Sequence, residues 1–335
     1  SLTISNTEDA DEADYRCLVS GECGDQTSDV VGLTVNTNTQ ITDGPSGQTV
    51  CEGNDAVFSV SANGTNLSYQ WQSDVSGSWQ DLSDGGDISG SSTNQLTISS
   101  TVNYDEADYR WGVSGDCGAD QTSTAVSLTV NDATQITGQP SSQAICEGND
   151  ATFTVSANGT NLTYQWQSNA GGSWQDLSDG GDISGATTSS LTLSNTEQSD
   201  EAAYRVIVTG DCGSQTSNAV TLTVDPATRI ISQPSDQQVC EQEEVVFAVE
   251  AEGSGSLNYQ WQSNQDGTWQ NLANDGNISG SATDSLTLAQ VDTTDQAEYR
   301  VIVNGTCGAD TSMPASLSVN WFEIINEPRG DIMPP

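Results

Sequence analysis

The chain has 335 residues, in which 47 Asp and Glu face only six basic residues, all Arg, for a formal net charge of −41. A surface of that sign repels nucleic acid and anionic membrane faces, so neither is expected as a partner. With no His and no Lys, these residues hold no Ser-His-Asp or Cys-His constellation, no imidazole metal ligand and no lysine chemistry, and no enzymatic activity is expected of them. No apolar run approaches the ~20 residues of a membrane span, so no insertion is expected in this stretch.

The chain repeats itself. Trp71, Trp166 and Trp261 are spaced by 95 residues, and so are Cys117, Cys212 and Cys307. A unit of that size buries its own core, unlike a solenoid repeat. Ser1-Leu-Thr-Ile-Ser matches Gln95-Leu-Thr-Ile-Ser, so residues 1–36 are expected to be the C-terminal half of a repeat. Complete repeats are expected at 37–131, 132–226 and 227–320. Ile324-Ile-Asn-Glu-Pro328 matches Ile230-Ile-Ser-Gln-Pro234, so 321–335 is expected to be the first strand of another.

The middle repeat stands for all. A strand near 134–137 stops before Pro140, which lacks an N–H donor. A strand over 151–157 turns at Asn158-Gly159 into a strand over 162–168 with Trp166 inward. Gly171-Gly172 turns the chain into a short strand over 173–177 bearing Trp174, and a polar loop follows over 179–185. Strands over 190–194, 204–209 and 217–224 complete the unit. Val206 and Val208 alternate as a half-buried strand requires.

Asp11, Ala13, Tyr15 and Cys17 resemble the E–F corner and F strand of an immunoglobulin domain. In that family the corner tyrosine bonds back to the backbone, and Tyr15, Tyr109, Tyr204 and Tyr299 hold its position. Tyr69-Gln-Trp71, Tyr164-Gln-Trp166 and Tyr259-Gln-Trp261 are similar to its strand C. Val50-Cys-Glu-Gly and Ala56–Val60 resemble the A′–B turn and B strand of the intermediate set. The resemblance covers almost the whole chain. It implies an all-β fold, tandem immunoglobulin-like β-sandwiches in a linear array, with Trp71, Trp166, Trp261, Tyr109, Tyr204 and Tyr299 in the cores. The repeats look like the arrays of large bacterial surface and secreted proteins.

The family's core disulfide is missing. Its strand-B position holds Val60, Val155 and Val249, and its strand-F position holds Trp111, Val206 and Val301. Only Cys17 keeps the F-strand cysteine, expected as a buried free thiol. The repeated cysteines lie before the B strand (Cys51, Cys146, Cys240) and in the F–G turn (Cys23, Cys117, Cys212, Cys307). In an immunoglobulin sandwich those places are at opposite poles, ~25 Å apart, and a disulfide needs Cα atoms within about 7 Å. In a tandem array the lower pole of one repeat meets the upper pole of the next. Cys51–Cys212 and Cys146–Cys307 are therefore the preferred pairs, locking the angle between neighbours. The alternatives are Cys51–Cys117, Cys146–Cys212 and Cys240–Cys307 within repeats, or free thiols.

No other cofactor than calcium is a candidate. Glu52, Asp55, Asp105, Glu106 and Asp132 would gather at one pole, and calcium takes six to eight oxygens. Glu-Gly in that turn and Asp at that corner also shape turns without metal. Asp84-Gly-Gly-Asp87 and Asp179-Gly-Gly-Asp182 form a second candidate. Arg16, Arg110, Arg205 and Arg300 follow the corner tyrosines, with Asp81 or Asp176 expected as partners. Trp79, Trp174 and Trp269 are either packing residues or a sugar platform. Arg329-Gly-Asp331 reads as chance, and Asn63, Asn158, Asn161 and Asn304 open Asn-x-Thr triplets in turns.

The expected function is a structural segment of a long extracellular fibre or adhesin, secreted or on a cell surface. Copies of itself are the expected partners, with a surface glycan or protein as target. The alternatives are a spacer in a secreted multidomain enzyme and a carbohydrate- or protein-binding module.

Overall fold

Alternating side chains and glycine turns give strands throughout the computed structural model, which describes residues 1–75 and 77–321. The chain forms two compact units. One comprises Ser1–Thr137, Ala157–Thr163 and Val208–Gln215; the other comprises Gly138–Ser156, Tyr164–Ile207 and the chain from Thr216 on.

The first unit holds a complete sandwich. One sheet runs in the order Gln80–Asp81, Ser68–Asp74, Ala107–Ser114, Val126–Asn131, Gln48–Cys51. The last pair is parallel and sets Cys51 opposite Asn131. The facing sheet runs Ile88–Ser89, Gln95–Ile98, Ala56–Ser59. Between them lie Phe58, Trp71, Leu96, Ile98, Tyr109, Trp111 and Val113, all buried. Residues 1–36 form two short antiparallel pairs, Ala13–Tyr15 with Val31–Leu33 and Leu18–Val19 with Gln26–Thr27. None of these residues is buried.

The second unit repeats the plan. Gln237–Cys240, Ala315–Asn320, Glu298–Gly305, Asn258–Asn264 and Gln270–Asn271 make one sheet, and Val245–Ala248, Ser285–Leu288 and Ile278–Ser279 the other. Phe247, Trp261, Tyr299, Val301 and Val303 are in its core. The same unit buries Phe153, Trp166, Leu191, Tyr204 and Val206 of the middle repeat. There Gln143–Cys146 pairs in parallel with Val220–Asp225, setting Cys146 opposite Asp225.

Two details differ from the sequence reading. The loop over 179–185 contains a strand, Ile183–Ser184, paired with Ser190–Leu193. Ile183 is half-buried while the flanking residues are exposed polar ones, which hid it. The strand expected over 217–224 begins only at Val220, and an additional strand, Gly213–Thr216, precedes it on Ala203–Gly210; between them the Ser217 hydroxyl, in place of a backbone carbonyl, accepts from Val206 N–H. In each "Ile-Ser-Gly" turn the glycine is required. A Cβ on Gly90, at φ +79°, would stand 2.0 Å from the Gln95 carbonyl oxygen.

Cys17, expected as a buried free thiol, is free and exposed among the described residues. The Arg329-Gly-Asp331 tripeptide and the strand expected in 321–335 lie beyond Trp321, outside the described residues.

Candidate functional site

The corner "Asp-Glu-Ala-Asp-Tyr" explains itself atom by atom. Asn103–Asp105 is a short 3-10 turn, and Asp105 Oδ2 accepts from Val102 N–H at 2.8 Å. Glu106 Oε1 accepts from Val130 N–H at 2.8 Å, tying the corner to the last strand. The Tyr109 hydroxyl donates to the Asp105 carbonyl at 2.8 Å. Tyr204 and Tyr299 donate to Asp200 and Asp295 in the same way. Burial, and then the Asp200 charge, pushes the Tyr204 phenol up to about 12. Burial and the nearby aspartates raise Tyr109 and Tyr299 in the same direction.

The residues of the calcium expectation are each engaged in these turns. Asp105 and Glu106 spend a carboxylate oxygen each on backbone N–H groups, and Asp55 Oδ1 accepts from Ser100 N–H. Asp132 Oδ1 accepts from the Asn103 amide. Glu52 and Asp132 line one cleft of about 400 Å3. Among the described residues no three acidic or thiol groups are placed to hold a metal ion. The Asp-Gly-Gly-Asp loops are turns as well. Asp84 Oδ1 accepts from Ser91 N–H and Asp179 Oδ1 from Ala186 N–H. The Ser91 bonds hold the Asp84 carboxyl below the usual carboxylate range.

The arginines do not pair with Asp81 or Asp176 directly. Arg110 Nε donates to Gln72 Oε1 at 2.7 Å, and Gln72 Nε2 donates to Asp81 Oδ1 at 2.6 Å. Arg205, Gln167 and Asp176 form the same relay, and Arg300, Gln262 and Asn271 the third. The last acceptor receives from a neutral amide, so Asn271 serves as well as Asp. Each guanidinium also lies over an indole, 4.1 Å from the Trp79 ring centre and 4.2 Å from those of Trp174 and Trp269. One face of every candidate sugar-stacking Trp is thus covered by its own arginine, a contact of ~0.5–1 kcal/mol at a half-exposed site.

The cysteines are the second repeated constellation. Cys51 is bonded to Cys212 with Cα atoms 5.5 Å apart, and Cys146 to Cys307 at 5.4 Å. Around Cys212, Asp211 Oδ2 accepts from the Asn161 amide at 2.8 Å and from the Asn131 amide at 3.4 Å. Asp132 N–H donates to Thr160 Oγ1 at 2.8 Å, so the linker itself is bonded down. At Cys117, which is free, Asn66 donates to Asp116 and Thr37 N–H to Thr65 Oγ1 in the same pattern.

A groove of about 430 Å3 on the sheet of 37–131 was not anticipated. Gln70, Gln72, Gly112, Ser114, Asp120 and Gln121 line it. Comparison of Gly112 with Ile207 and Ile302, one and two repeats on, was the available signal.

Comparison with known proteins follows this geometry. The family described as "Domain of unknown function (DUF8696)" matches residues 136–226 and 230–321, more than half of the chain. The chain belongs to this family. The chain is 32% identical over 231 residues to "Endoglucanase C" of Cellulomonas fimi, covering 68% of the chain and 19% of that protein. It is 28% identical over 321 residues to "Muscle M-line assembly protein unc-89" of Caenorhabditis elegans, covering 92% of the chain and 4% of that protein. The chain thus spans less than a fifth of either curated relative. Among solved structures, the I-band fragment I67-I69 from titin matches with a TM-score of 0.64 at 16% identity, covering 85% of this chain and 99% of that one. The fold is therefore a tandem of immunoglobulin-like sandwiches.

Proposed function

We propose that the chain is a structural segment of a long extracellular fibre or adhesin, built from bacterial repeats of the intermediate-set type. The observation that carries this reading is the pair of disulfides joining positions 161 residues apart, each reaching from one repeat into the next. A protein that only needed stable domains would bridge within them. Disulfides persist in oxidising compartments, which supports an array outside the cell. The acidic surface keeps such a chain soluble, and the repeats offer reach without chemistry. Copies of the chain side by side, and a glycan or protein at a distant surface, are the partners this reading supplies.

One observation favours a second reading. The endoglucanase relative is matched over only 19% of its length, as a spacer within a larger secreted enzyme would be. Negative-stain electron microscopy of the native secreted material separates the two. Long filaments of constant width support the fibre. Short strings ending in a large body with glycoside-hydrolase activity overturn it and support the spacer.

A further inference from the structure

The two disulfides interleave. Cys146 lies inside the loop closed by Cys51–Cys212, and Cys212 lies inside the loop closed by Cys146–Cys307. Three runs of backbone therefore connect the first bridge to the second: 51–146, 146–212 and 212–307. We infer that the chain is a cleavage-tolerant, extension-limited tether, in which three parallel covalent routes carry the interval between successive bridges.

Two consequences follow from connectivity. First, the interval parts only when all three runs are cut. After cuts in any two of them, the third still joins both bridges. Exposed turns are where proteases nick a folded chain, and each run has one, at Gly77, Gly172 and Gly267. An extracellular tether with a single covalent route fails at its first nick; this one needs three. Second, the shortest run limits stretching. The bridged interval extends to ~230 Å, set by the run from 146 to 212, whereas the same chain without bridges extends to ~900 Å from 51 to 307, at ~3.5 Å per residue. Reduction is expected to lengthen the fully pulled interval about fourfold. Bridge connectivity alone carries this inference, so its failure under cleavage and the failure of the fibre reading under the microscope are separate results.

The test inserts a site-specific protease sequence after Gly77, Gly172 and Gly267, singly, in pairs and all together, in the full chain. Products are separated on denaturing gels without reductant. The chain is expected to stay in one piece after any one or two cuts. After all three it is expected to give two products, 1–77 joined to 173–267 and 78–172 joined to 268–335. Separation after one cut would overturn the inference, because no bridge then spans the nick. A single product after three cuts would also overturn it, because pairing within repeats holds all four pieces together. Non-reducing peptide mapping of the unaltered chain guards against misfolded insertions. Recovery of Cys51 linked to Cys212 supports the tether, and recovery of Cys51 linked to Cys117 overturns it.

Discussion

The sandwich that closes on Val126–Asn131 and the one that closes on Ala315–Asn320 share a backbone plan and differ in how they fill it. In the first, strand Ala107–Ser114 points Trp111 inward and Gly112 outward; in the second, Val301 points inward and Ile302 outward. The registers agree, with Trp111 opposite Trp71 and Val301 opposite Trp261. The first core also holds Ala56 where the other sandwich has Val245. Hydrogen bonding fixes the pairing, and different apolar side chains fill the space behind it.

The sharpest way to break the comparison is at the core. Trp111→Ala removes a fully buried indole that stacks on Tyr69 with ring centres 5.3 Å apart. It is expected to cost ~3–5 kcal/mol through the cavity it leaves, read as a shifted transition in denaturant unfolding. Val301→Trp, the reverse exchange, is expected to cost ~1–3 kcal/mol by overpacking. Equal stability of that variant and the parent would mean the second core has unfilled space.

The tyrosine corners should behave alike in both sandwiches. Tyr109→Phe and Tyr299→Phe leave the Asp105 and Asp295 carbonyls without their donors and are expected to cost ~1–2 kcal/mol each. Their pH dependence carries a definite sign. The folded state holds the neutral phenol more tightly than the unfolded chain does, with Tyr204 at about 12. The resulting stability is whole below the unfolded value near ~10 and is lost as pH rises through the folded one. Unfolding monitored by tryptophan fluorescence between these values is therefore expected to move to lower denaturant concentration as pH rises, and less so in the Phe variants.

The smallest effect is expected at the surface. Gly112→Ile copies the residue of the sister repeats, and a Cβ there meets nothing closer than the Gln70 carbonyl oxygen at 3.7 Å. Stability should stay within ~0.5 kcal/mol while the groove fills. A larger loss in calorimetry would show that the glycine is needed for the fold.

Much of this was legible in advance because the repeats read each other. The spacing of Trp71, Trp166 and Trp261 gave the size of the unit, and the corner tyrosines with the strand-C tryptophans gave its type. The Asp-Glu pair at the first three corners reads two ways for a physical reason. Carboxylates that bind metal and carboxylates that accept from turn N–H groups occupy the same kind of sequence, and only the placement of Val102 and Val130 tells them apart. The arginine relay was half legible. Its period was visible, but the intervening Gln72 belongs to another strand.

By itself the sequence determined the all-β repeat, the buried Trp and Tyr anchors, the turn glycines and the strong negative charge, because each depends on local periodicity, side-chain size or composition. Only the tertiary structure decided which carboxylates are spent on the backbone, which face of each Trp is covered and that a groove opens beside Gly112. Those outcomes depend on groups that meet from strands tens of residues apart, and a distance of that kind is written in the packing of the sheets.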